Sequence, residues 1–237
     1  GRVLKTEDGG LSFKEVYITP KPNHSVFAVE VDPKNSKIIW AGTGEGILLK
    51  SADYGETWES RSAGLPRNEW GSRDVAGLAL DSRAEAAVLY GSVANTDSLW
   101  RSSDEGLHWE YAGTLTLGKG EHIVGLATNP LAADRLYALT DHGAVYVSGD
   151  QGQGWTLLLP GESEWASGWS FDRKRLRFDP VDPERFFVVT GPRLLETRDG
   201  GRHWRSLGDD LASVPWFNDV AVDPLAPYLV YAATPWG

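Results

Sequence analysis

Three observations predict an all-β fold for this chain. Its 237 residues include 27 glycines and 11 tryptophans but few helix-like stretches, a composition typical of turn-rich β proteins. One turn motif returns along the whole chain at nearly even spacing. Between its copies, short apolar segments alternate with Asp-Pro and glycine-rich turns. The pattern therefore predicts a series of antiparallel sheets, with one copy of the motif in each repeated unit.

Composition and charge narrow the classes of function. The chain has 23 basic and 33 acidic side chains, and its net charge of −10 repels phosphate backbones, so no nucleic-acid partner is expected. No apolar run approaches the roughly 18 residues that a membrane-spanning helix needs, so no membrane span is expected. The lack of cysteine excludes disulfides, thiolate nucleophiles and cysteine-ligated zinc, and no cofactor or metal site is predicted.

The turn motif has the pattern Ser/Thr-x-Asp-x-Gly-x-x-Trp. It has four direct copies and one weaker copy, at the start of the chain, in which Phe replaces Trp. The copies occupy residues 6–13, 51–58, 102–109, 148–155 and 197–204, and their aspartates are Asp8, Asp53, Asp104, Asp150 and Asp199. The intervals between these aspartates are 45, 51, 46 and 49 residues, a period typical of propeller blades.

The residues of the motif suit a tight turn between two strands. A short aspartate side chain accepts hydrogen bonds from nearby backbone N–H groups, and glycine permits a positive φ. The aromatic residue anchors the hairpin through its buried area. The motif resembles the Asp-box, or bacterial neuraminidase repeat, and the resemblance extends over nearly the whole chain. It implies a β-propeller in which these aspartates are scaffold residues rather than catalytic or metal-binding ones.

A second repeated element precedes each copy of the motif and completes the unit. An apolar strand ends in an Asp-Pro turn or a close variant, and a second apolar strand follows about eight residues later. Each unit then has four strands, which make one antiparallel blade. We therefore predict a five-bladed β-propeller in a single domain, 1–237. Its blades are residues 218–237 together with 1–17, then 24–62, 74–113, 122–159 and 175–208.

The first predicted blade is divided between the two ends of the chain. Its third and fourth strands come from residues 2–17, and its first and second strands from residues 218–234. Joining these halves would close the ring and cover both exposed sheet edges. The alternative is a slice of a six- or seven-bladed propeller or of a tandem propeller, and the absence of methionine leaves it open.

Five tryptophans in predicted loops are the first candidates for ligand binding. These loops lie on the face opposite the motif turns, where variable loops on a fixed scaffold generally bind ligands. An indole ring stacks on the apolar face of a pyranose while polar neighbours bind its hydroxyls, so this face suits carbohydrate. Capping of the blade junctions is the alternative. The tryptophans are Trp70, Trp165, Trp169, Trp216 and Trp236, and their candidate polar partners are Glu69, Arg73, Glu162, Glu164, Asp172 and Asn218.

Charged residues also occur on the innermost strands, where small side chains are expected. They are Arg175 and Arg177 on one blade, Asp219 on the next and Glu30 on the one after. Close groups of opposite charge either satisfy one another as a structural ion pair or bind an anionic or polar ligand. Both interpretations place these side chains in the channel, and both are left open by the sequence.

The order of the repeated elements looks like that of several propeller families. It is similar to the xyloglucan-active glycoside hydrolases, the sortilin-type luminal propellers and the photosystem II assembly factors of thylakoid lumens. A sialidase fits less well, because the chain lacks the N-terminal Phe-Arg-Ile-Pro-like segment and has only Arg175 and Arg177 as inner-strand arginines. The resemblance implies a monomer that is extracellular, periplasmic or luminal.

The sequence favours a non-enzymatic binding propeller that recognises a glycan or a protein partner through its tryptophan-rich loop face. A second hypothesis is a glycoside hydrolase, xyloglucanase- or sialidase-like, or an excised part of one. Hydrolysis needs an acid with a raised pKa and an ionised partner about 5–9.5 Å away. A third hypothesis, an assembly or scaffolding factor, differs from the first only in its ligand. The candidate catalytic carboxylates are Glu69, Asp97, Glu162, Glu164, Asp172 and Asp219.

Overall fold

Every regular element that the structure describes is a β-strand, and every described strand pair is antiparallel. The predicted all-β class with four-stranded antiparallel sheets is therefore confirmed. The strands belong to two compact units, Gly1–Leu115 and Thr116–Gly237. The computed structural model describes residues 1–21, 24–44, 46–66, 75–81, 87–94, 96–132, 135–161, 175–190, 192–208 and 217–234.

The first unit contains one two-stranded sheet and two four-stranded sheets. In each four-stranded sheet, every strand pairs with the strand that follows it in sequence, so the sheets are simple meanders. The two-stranded sheet consists of β1 (Arg2–Lys5) and β2 (Lys14–Ile18). The other two consist of β3 (Val26–Val31), β4 (Ile39–Thr43), β5 (Leu48–Ser51) and β6 (Glu59–Ser60), and of β7 (Val75–Asp81), β8 (Val88–Val93), β9 (Ser98–Ser102) and β10 (Glu110–Thr114).

The second unit contains two four-stranded meanders and one two-stranded sheet. The first meander consists of β11 (Ile123–Thr128), β12 (Leu136–Thr140), β13 (Val145–Ser148) and β14 (Thr156–Leu159). The second consists of β15 (Arg175–Phe178), β16 (Phe186–Val189), β17 (Leu194–Thr197) and β18 (Arg205–Leu207). The two-stranded sheet consists of β19 (Asp219–Val222) and β20 (Val230–Ala233).

The second strand of each meander is buried along nearly its whole length. All four residues of β16 are fully buried, as are nearly all of β4, β8 and β12. In β4 and β16 the two faces belong to different apolar clusters, which explains why these strands are continuous apolar runs rather than alternating ones. The fourth strands are more exposed, and β6 is exposed at both residues.

The core of each unit lies between its sheets. In the first unit, Trp40 and Leu48 pack against Leu78 and Leu89 of the next meander, together with Trp109. In the second unit, two clusters flank β16. One joins it to the 123–159 meander through Tyr137, and the other joins it to β19 and β20. Strands β4 and β16 thus each contribute side chains to two clusters, and this packing holds the ends of these strands in fixed positions.

The repeat motif folds into the same hydrogen-bonded turn at every copy. In the 51–58 copy, Asp53 Oδ1 accepts the N–H of Thr57 at 2.8 Å, and its Oδ2 accepts the Thr57 hydroxyl at 2.6 Å. Ser51 Oγ accepts the N–H of Gly55 and donates to Asp53, both at 2.8 Å. These donors, the Thr57 hydroxyl foremost, lower the pKa of Asp53 to about 2. The aspartate is held by its own turn, as expected of a scaffold residue.

The residue after each motif aspartate has a left-handed backbone. Glycine occupies this place in two copies, but Tyr54, Glu105 and Gln151 occupy it in the others, with φ of 61°, 58° and 63°. Two of these side chains have partners, since Tyr54 lies under the ammonium group of Lys5 and Glu105 pairs with Lys50. Gln151 is exposed and carries the same strained conformation.

Removing the strain at Gln151 is expected to stabilise the protein. A left-handed conformation costs a residue with a side chain about 1–2 kcal/mol, whereas the greater freedom of glycine in the unfolded chain costs about 0.5–1 kcal/mol. Gln151→Gly should therefore raise the free energy of unfolding, measured in urea, by about 0.5–1 kcal/mol. The matched control is Gln153→Gly in the same turn, where φ is not positive and glycine should lower that free energy. Equal losses in both variants would contradict the expectation.

Candidate functional site

The structure describes part of the predicted ligand-binding set. Arg175, Arg177, Asp219 and Glu30 lie on described strands. The five loop tryptophans, Trp70, Trp165, Trp169, Trp216 and Trp236, lie outside the described residues, as do Glu69, Arg73, Glu162, Glu164 and Asp172. The predicted carbohydrate face and four of the six candidate catalytic carboxylates therefore stay predictions.

Arg177 and Asp219 form an ion pair within the second unit. They lie on β15 and β19, the first strands of neighbouring sheets, and Arg177 Nη2 is 3.1 Å from Asp219 Oδ2. Each side chain has a further bond, because Asp219 Oδ1 accepts the N–H of Val220 at 2.8 Å and Arg177 Nη1 donates to the carbonyl of Leu176 at 3.3 Å. Of the two interpretations that the sequence left open, the ion pair is present.

The Arg177–Asp219 pair is accessible as well as bonded. The two side chains are 44% and 43% exposed, and ion pairs of this kind contribute about 0–1 kcal/mol to stability. The donor, Arg177, and the acceptor, Asp219, therefore lie next to each other at the surface, and their contact contributes little to stability. Such a pair can exchange partners with a polar ligand at low cost.

The other two inner-strand charges occupy separate places. Arg175 lies two residues before Arg177 on β15, so the two side chains share a face of the sheet, and Arg175 is half-buried. Glu30 belongs to the first unit, where the alternating burial of β3 puts it on the less exposed face with Ala28. Arg175, Arg177 and Asp219 are thus neighbouring strand positions of one unit, and Glu30 is a strand position of the other.

Asp97 and Asn218 are the remaining described candidates. Asp97 is exposed just before β9, and its backbone carbonyl accepts the N–H of Leu115 at 2.9 Å. Asn218 precedes β19, and its N–H donates to the carbonyl of Ala233 at 2.8 Å. Its Oδ1 is buried and has no hydrogen-bond partner among the described residues. Asn218 therefore holds the start of the strand that carries Asp219.

A buried charge network lies beside this cluster in the second unit. Arg185 donates from Nε to Glu196 Oε1 and from Nη1 to Asp179 Oδ2, both at 2.8 Å. All three residues are buried. Burial alone would raise the pKa of Glu196, but hydrogen bonds from Arg185, Arg198 and Arg205 outweigh it and lower that pKa.

Four residues of this network, Arg185, Glu196, Arg198 and Arg205, were not singled out by the sequence patterns. Arg198 lies within the 197–204 turn and Arg205 directly follows it, and both contact Glu196. A comparison of the motif copies would have found Arg205, because the strand residue that follows the motif is Glu59 or Glu110 in two other copies. The signal is the replacement of an acidic residue by a basic one at the equivalent position of the repeat.

Two further findings concern the described residues alone. No group of three or more His, Asp or Glu side chains in them is arranged to hold a metal ion. Likewise, none of the described elements is a helix with the length and apolar character needed to cross a membrane.

Three known proteins show what the chain is similar to. Sortilin of Rattus norvegicus is 26% identical over 157 residues, covering 66% of this chain and 18% of sortilin. The oligoxyloglucan-reducing end-specific xyloglucanase of Emericella nidulans is 24% identical over 216 residues, covering 75% of this chain and 26% of the enzyme. The solved structure of YCF48 bound to D1 peptide matches with a TM-score of 0.61 and 20% identity, covering 98% of this chain and 68% of YCF48.

These similarities bear on fold and family. The chain spans less than a third of the length of the two curated relatives, and the likeness to YCF48 is one of fold. Together they support the predicted β-propeller, while the number of blades and the division of the first blade stay predictions. The model of the family described as sortilin, neurotensin receptor 3 matches residues 97–232, more than half of the chain. The chain therefore belongs to the Sortilin-Vps10 family.

Proposed function

We propose that the chain is a non-enzymatic binding propeller that recognises a glycan or a protein partner through its tryptophan-rich loop face. The observation that carries this proposal is the likeness over 98% of the chain to YCF48, whose structure was solved with a bound peptide. The proposal includes five blades, with the first completed from both ends of the chain. It also includes a monomeric state and an extracellular, periplasmic or luminal location.

The described scaffold suits a binding role. Central strands that are buried on both faces hold the strand ends in fixed positions, and loops on such a scaffold can vary without disturbing it. The long connections at 62–74, 160–174 and 208–217 contain four of the five loop tryptophans. Indole rings offer a glycan or a peptide a large contact area at little cost in conformational entropy.

The described carboxyl groups with shifted pKa values act as hydrogen-bond acceptors and ion-pair partners. A glycosidase needs one carboxylic acid whose pKa is raised, so that it is protonated when substrate binds. In the described part of the chain, the carboxyl groups with shifted pKa values are all shifted down by hydrogen bonds or by nearby cations, as for Asp53 and Glu56. These groups are poised as ionised acceptors.

The glycoside hydrolase is the second candidate, because one relative is a xyloglucanase that matches 75% of the chain. An assembly or scaffolding factor is the third, because YCF48 has the same fold. Incubation with xyloglucan oligosaccharides and a reducing-end assay separate the first of these from binding. Enzyme-dependent release of new reducing ends would overturn the non-enzymatic proposal.

A titration tests the binding face directly. The full chain is titrated with a panel of soluble oligosaccharides, including xyloglucan fragments, and with peptides, while indole N–H signals and tryptophan emission are followed. We expect a saturable response that Trp165→Ala and Trp169→Ala each weaken at least about tenfold, because stacking area is lost. Trp155→Phe, in a motif turn, is the matched control and should change affinity less than about twofold. No response to any probe, or equal losses in the control, would count against the proposal.

A further inference from the structure

A pocket bordered by basic side chains lies beside the 197–204 turn, between β17 and β18. The residues that line it, called here the Arg198–Arg205 pocket, are Glu196, Arg198, Asp199, His203, Trp204 and Arg205. Neither Arg177 nor Asp219 lines it. The inference drawn from it does not depend on the proposed function.

The floor of the Arg198–Arg205 pocket is a buried carboxylate surrounded by three guanidinium groups. Glu196 Oε1 accepts from Nε of Arg185 at 2.8 Å and from Nε and Nη2 of Arg198 at 3.1 and 3.0 Å. Its Oε2 accepts from Nη2 of Arg205. Every oxygen of this carboxylate is thus occupied by donors.

The charges of this network do not cancel. Arg185 also donates to Asp179 at 2.8 Å and to the carbonyl of Pro227, so Asp179 and Glu196 are the two carboxylates in contact with three arginines. One positive charge is left over among these five groups, and the third carboxylate nearby, that of Asp199, is bound within its own turn. The charge left over resides on the outer side chains, because Arg198 and Arg205 are 63% and 66% exposed whereas Arg185 is buried. Their outer N–H groups therefore face the pocket and solvent.

The remaining wall residues are held in place. The carboxylate of Asp199 is occupied by its own turn, since Oδ1 accepts the N–H of His203 at 2.9 Å and Oδ2 lies 2.5 Å from His203 Nδ1. Trp204 donates from Nε1 to the carbonyl of Leu158 at 3.1 Å and packs edge-on against Phe186 at 5.4 Å. A fixed indole and a locked carboxylate leave the two outer arginines as the groups available to a ligand.

Where the third strand pairs with the fourth beside the motif, the order of acidic and basic residues in this meander is the reverse of that in the two meanders of the first unit. In these three meanders, the residue just before the motif serine or threonine pairs across the hairpin with the first residue of the fourth strand. In both meanders of the first unit, the residue on the third strand is a lysine or an arginine and its partner on the fourth strand is a glutamate. The three cross-strand pairs are Lys50 with Glu59, Arg101 with Glu110, and Glu196 with Arg205. The chain as a whole has a net charge of −10, so two exposed arginines that share one buried carboxylate are a local exception.

We infer that the Arg198–Arg205 pocket binds an oxyanion group, such as phosphate, sulfate or carboxylate, between its two outer guanidinium groups. Planar guanidinium donors match the paired oxygens of such groups and form strong charge-assisted hydrogen bonds with them. Glu196 orients both arginines in advance, which reduces the entropy lost on binding. The acidic remainder of the chain excludes a diffuse attraction for anions, so binding must be local.

The test is a titration of the isotope-labelled chain with inorganic phosphate, sulfate and acetate, with chloride keeping the ionic strength constant. Saturable shifts are expected in the arginine Nε–H signals of Arg198 and Arg205 and in the indole N–H of Trp204. The anion that binds most tightly shows whether the pocket prefers a tetrahedral group, as in phosphate and sulfate, or a planar carboxylate, as in acetate. Arg198→Ala and Arg205→Ala should each weaken binding at least about tenfold, since each removes a charge-assisted contact.

Arg202→Ala is the matched control, because this exposed arginine lies in the same turn but does not line the pocket. It removes the same charge and should change affinity less than about twofold. Arg205→Gln keeps a donor for Glu196 without the charge, and it replaces Arg205→Ala if thermal unfolding shows that the alanine variant is not folded. The inference is overturned if no probe saturates at tens of millimolar, or if Arg202→Ala weakens binding as much as the pocket variants.

Discussion

Replacing Arg185 by methionine is expected to lower the free energy of unfolding by about 3–5 kcal/mol. The guanidinium group of Arg185 is the shared partner of Asp179 and Glu196, which are 1% and 2% exposed. Methionine fills much of the space but leaves the buried Asp179 without its cation and Glu196 with only the exposed Arg198 and Arg205. An uncompensated buried charge is among the most costly defects a fold can carry. Urea denaturation at pH 7 measures the loss.

The cost at Arg185 should also depend on pH. In the wild type, the pKa of Glu196 is lowered, so its contribution to stability is present above the ordinary carboxyl pKa and declines as the pH falls below it. In Arg185→Met, Glu196 loses a cation, its folded-state pKa rises, and protonation relieves the defect as the pH falls. The difference between variant and wild type should therefore shrink from pH 7 toward pH 4. Arg202→Met, at an exposed position, should cost less than about 0.5 kcal/mol. A deficit that grows toward acid would refute this account.

Truncating Phe186 to alanine is expected to cost about 3–5 kcal/mol. The ring is fully buried and lies 5.2 Å from Tyr137, 5.6 Å from Phe178 and 5.4 Å from Trp204, measured between ring centroids. Its removal leaves a cavity where two sheets of the second unit meet, and the surrounding β-strands can collapse into it only in part. Thermal or urea unfolding measures the effect.

Two control variants distinguish the loss of packing at Phe186 from the general effect of truncating a phenylalanine side chain. Phe186→Leu keeps most of the apolar volume and should cost less than about 1.5 kcal/mol. Phe13→Ala makes the same chemical change in the weaker copy of the motif, where the ring is 61% exposed, and should cost less than about 0.5 kcal/mol. Similar losses at both phenylalanines would show that Phe186 is not the centre of a packed cluster.

Much of the fold can be predicted from the sequence because its signals are local. The turn motif closes through bonds between residues two to four positions apart, such as those of Asp53 with Ser51 and Thr57, so its pattern alone identifies the turn. Apolar pairs such as Phe186 and Phe187 lie in central strands because those strands are covered on both sides. The Arg177–Asp219 contact is accessible to this reasoning only in part. The repeats place both residues on the first strands of consecutive sheets, but Arg177 aligns with Ala221 rather than with Asp219, so the contact itself depends on the geometry of the two sheets.

Other features depend on contacts that no local pattern encodes. Arg185 precedes a central strand like many surface arginines, and only the fold shows that it lies between Asp179 and Glu196. The contact of Arg198 and Arg205 with one carboxylate depends in the same way on the geometry of a single hairpin. The loop tryptophans are a further case, because the sequence gives their number and spacing but not the directions in which their rings point.

The hydrogen-bonded turns have a consequence for how the repeats can diverge. Because each turn fixes the register of its hairpin through atoms of its own few residues, the outermost strand needs no particular side chain to find its place. Glutamate can then stand at Glu110 and arginine at Arg205 on the same framework, as they do here. In such a scaffold, the residues that determine the fold are not the residues that are exposed on the outermost strands. Successive repeats can therefore acquire different ligands while each keeps its fold.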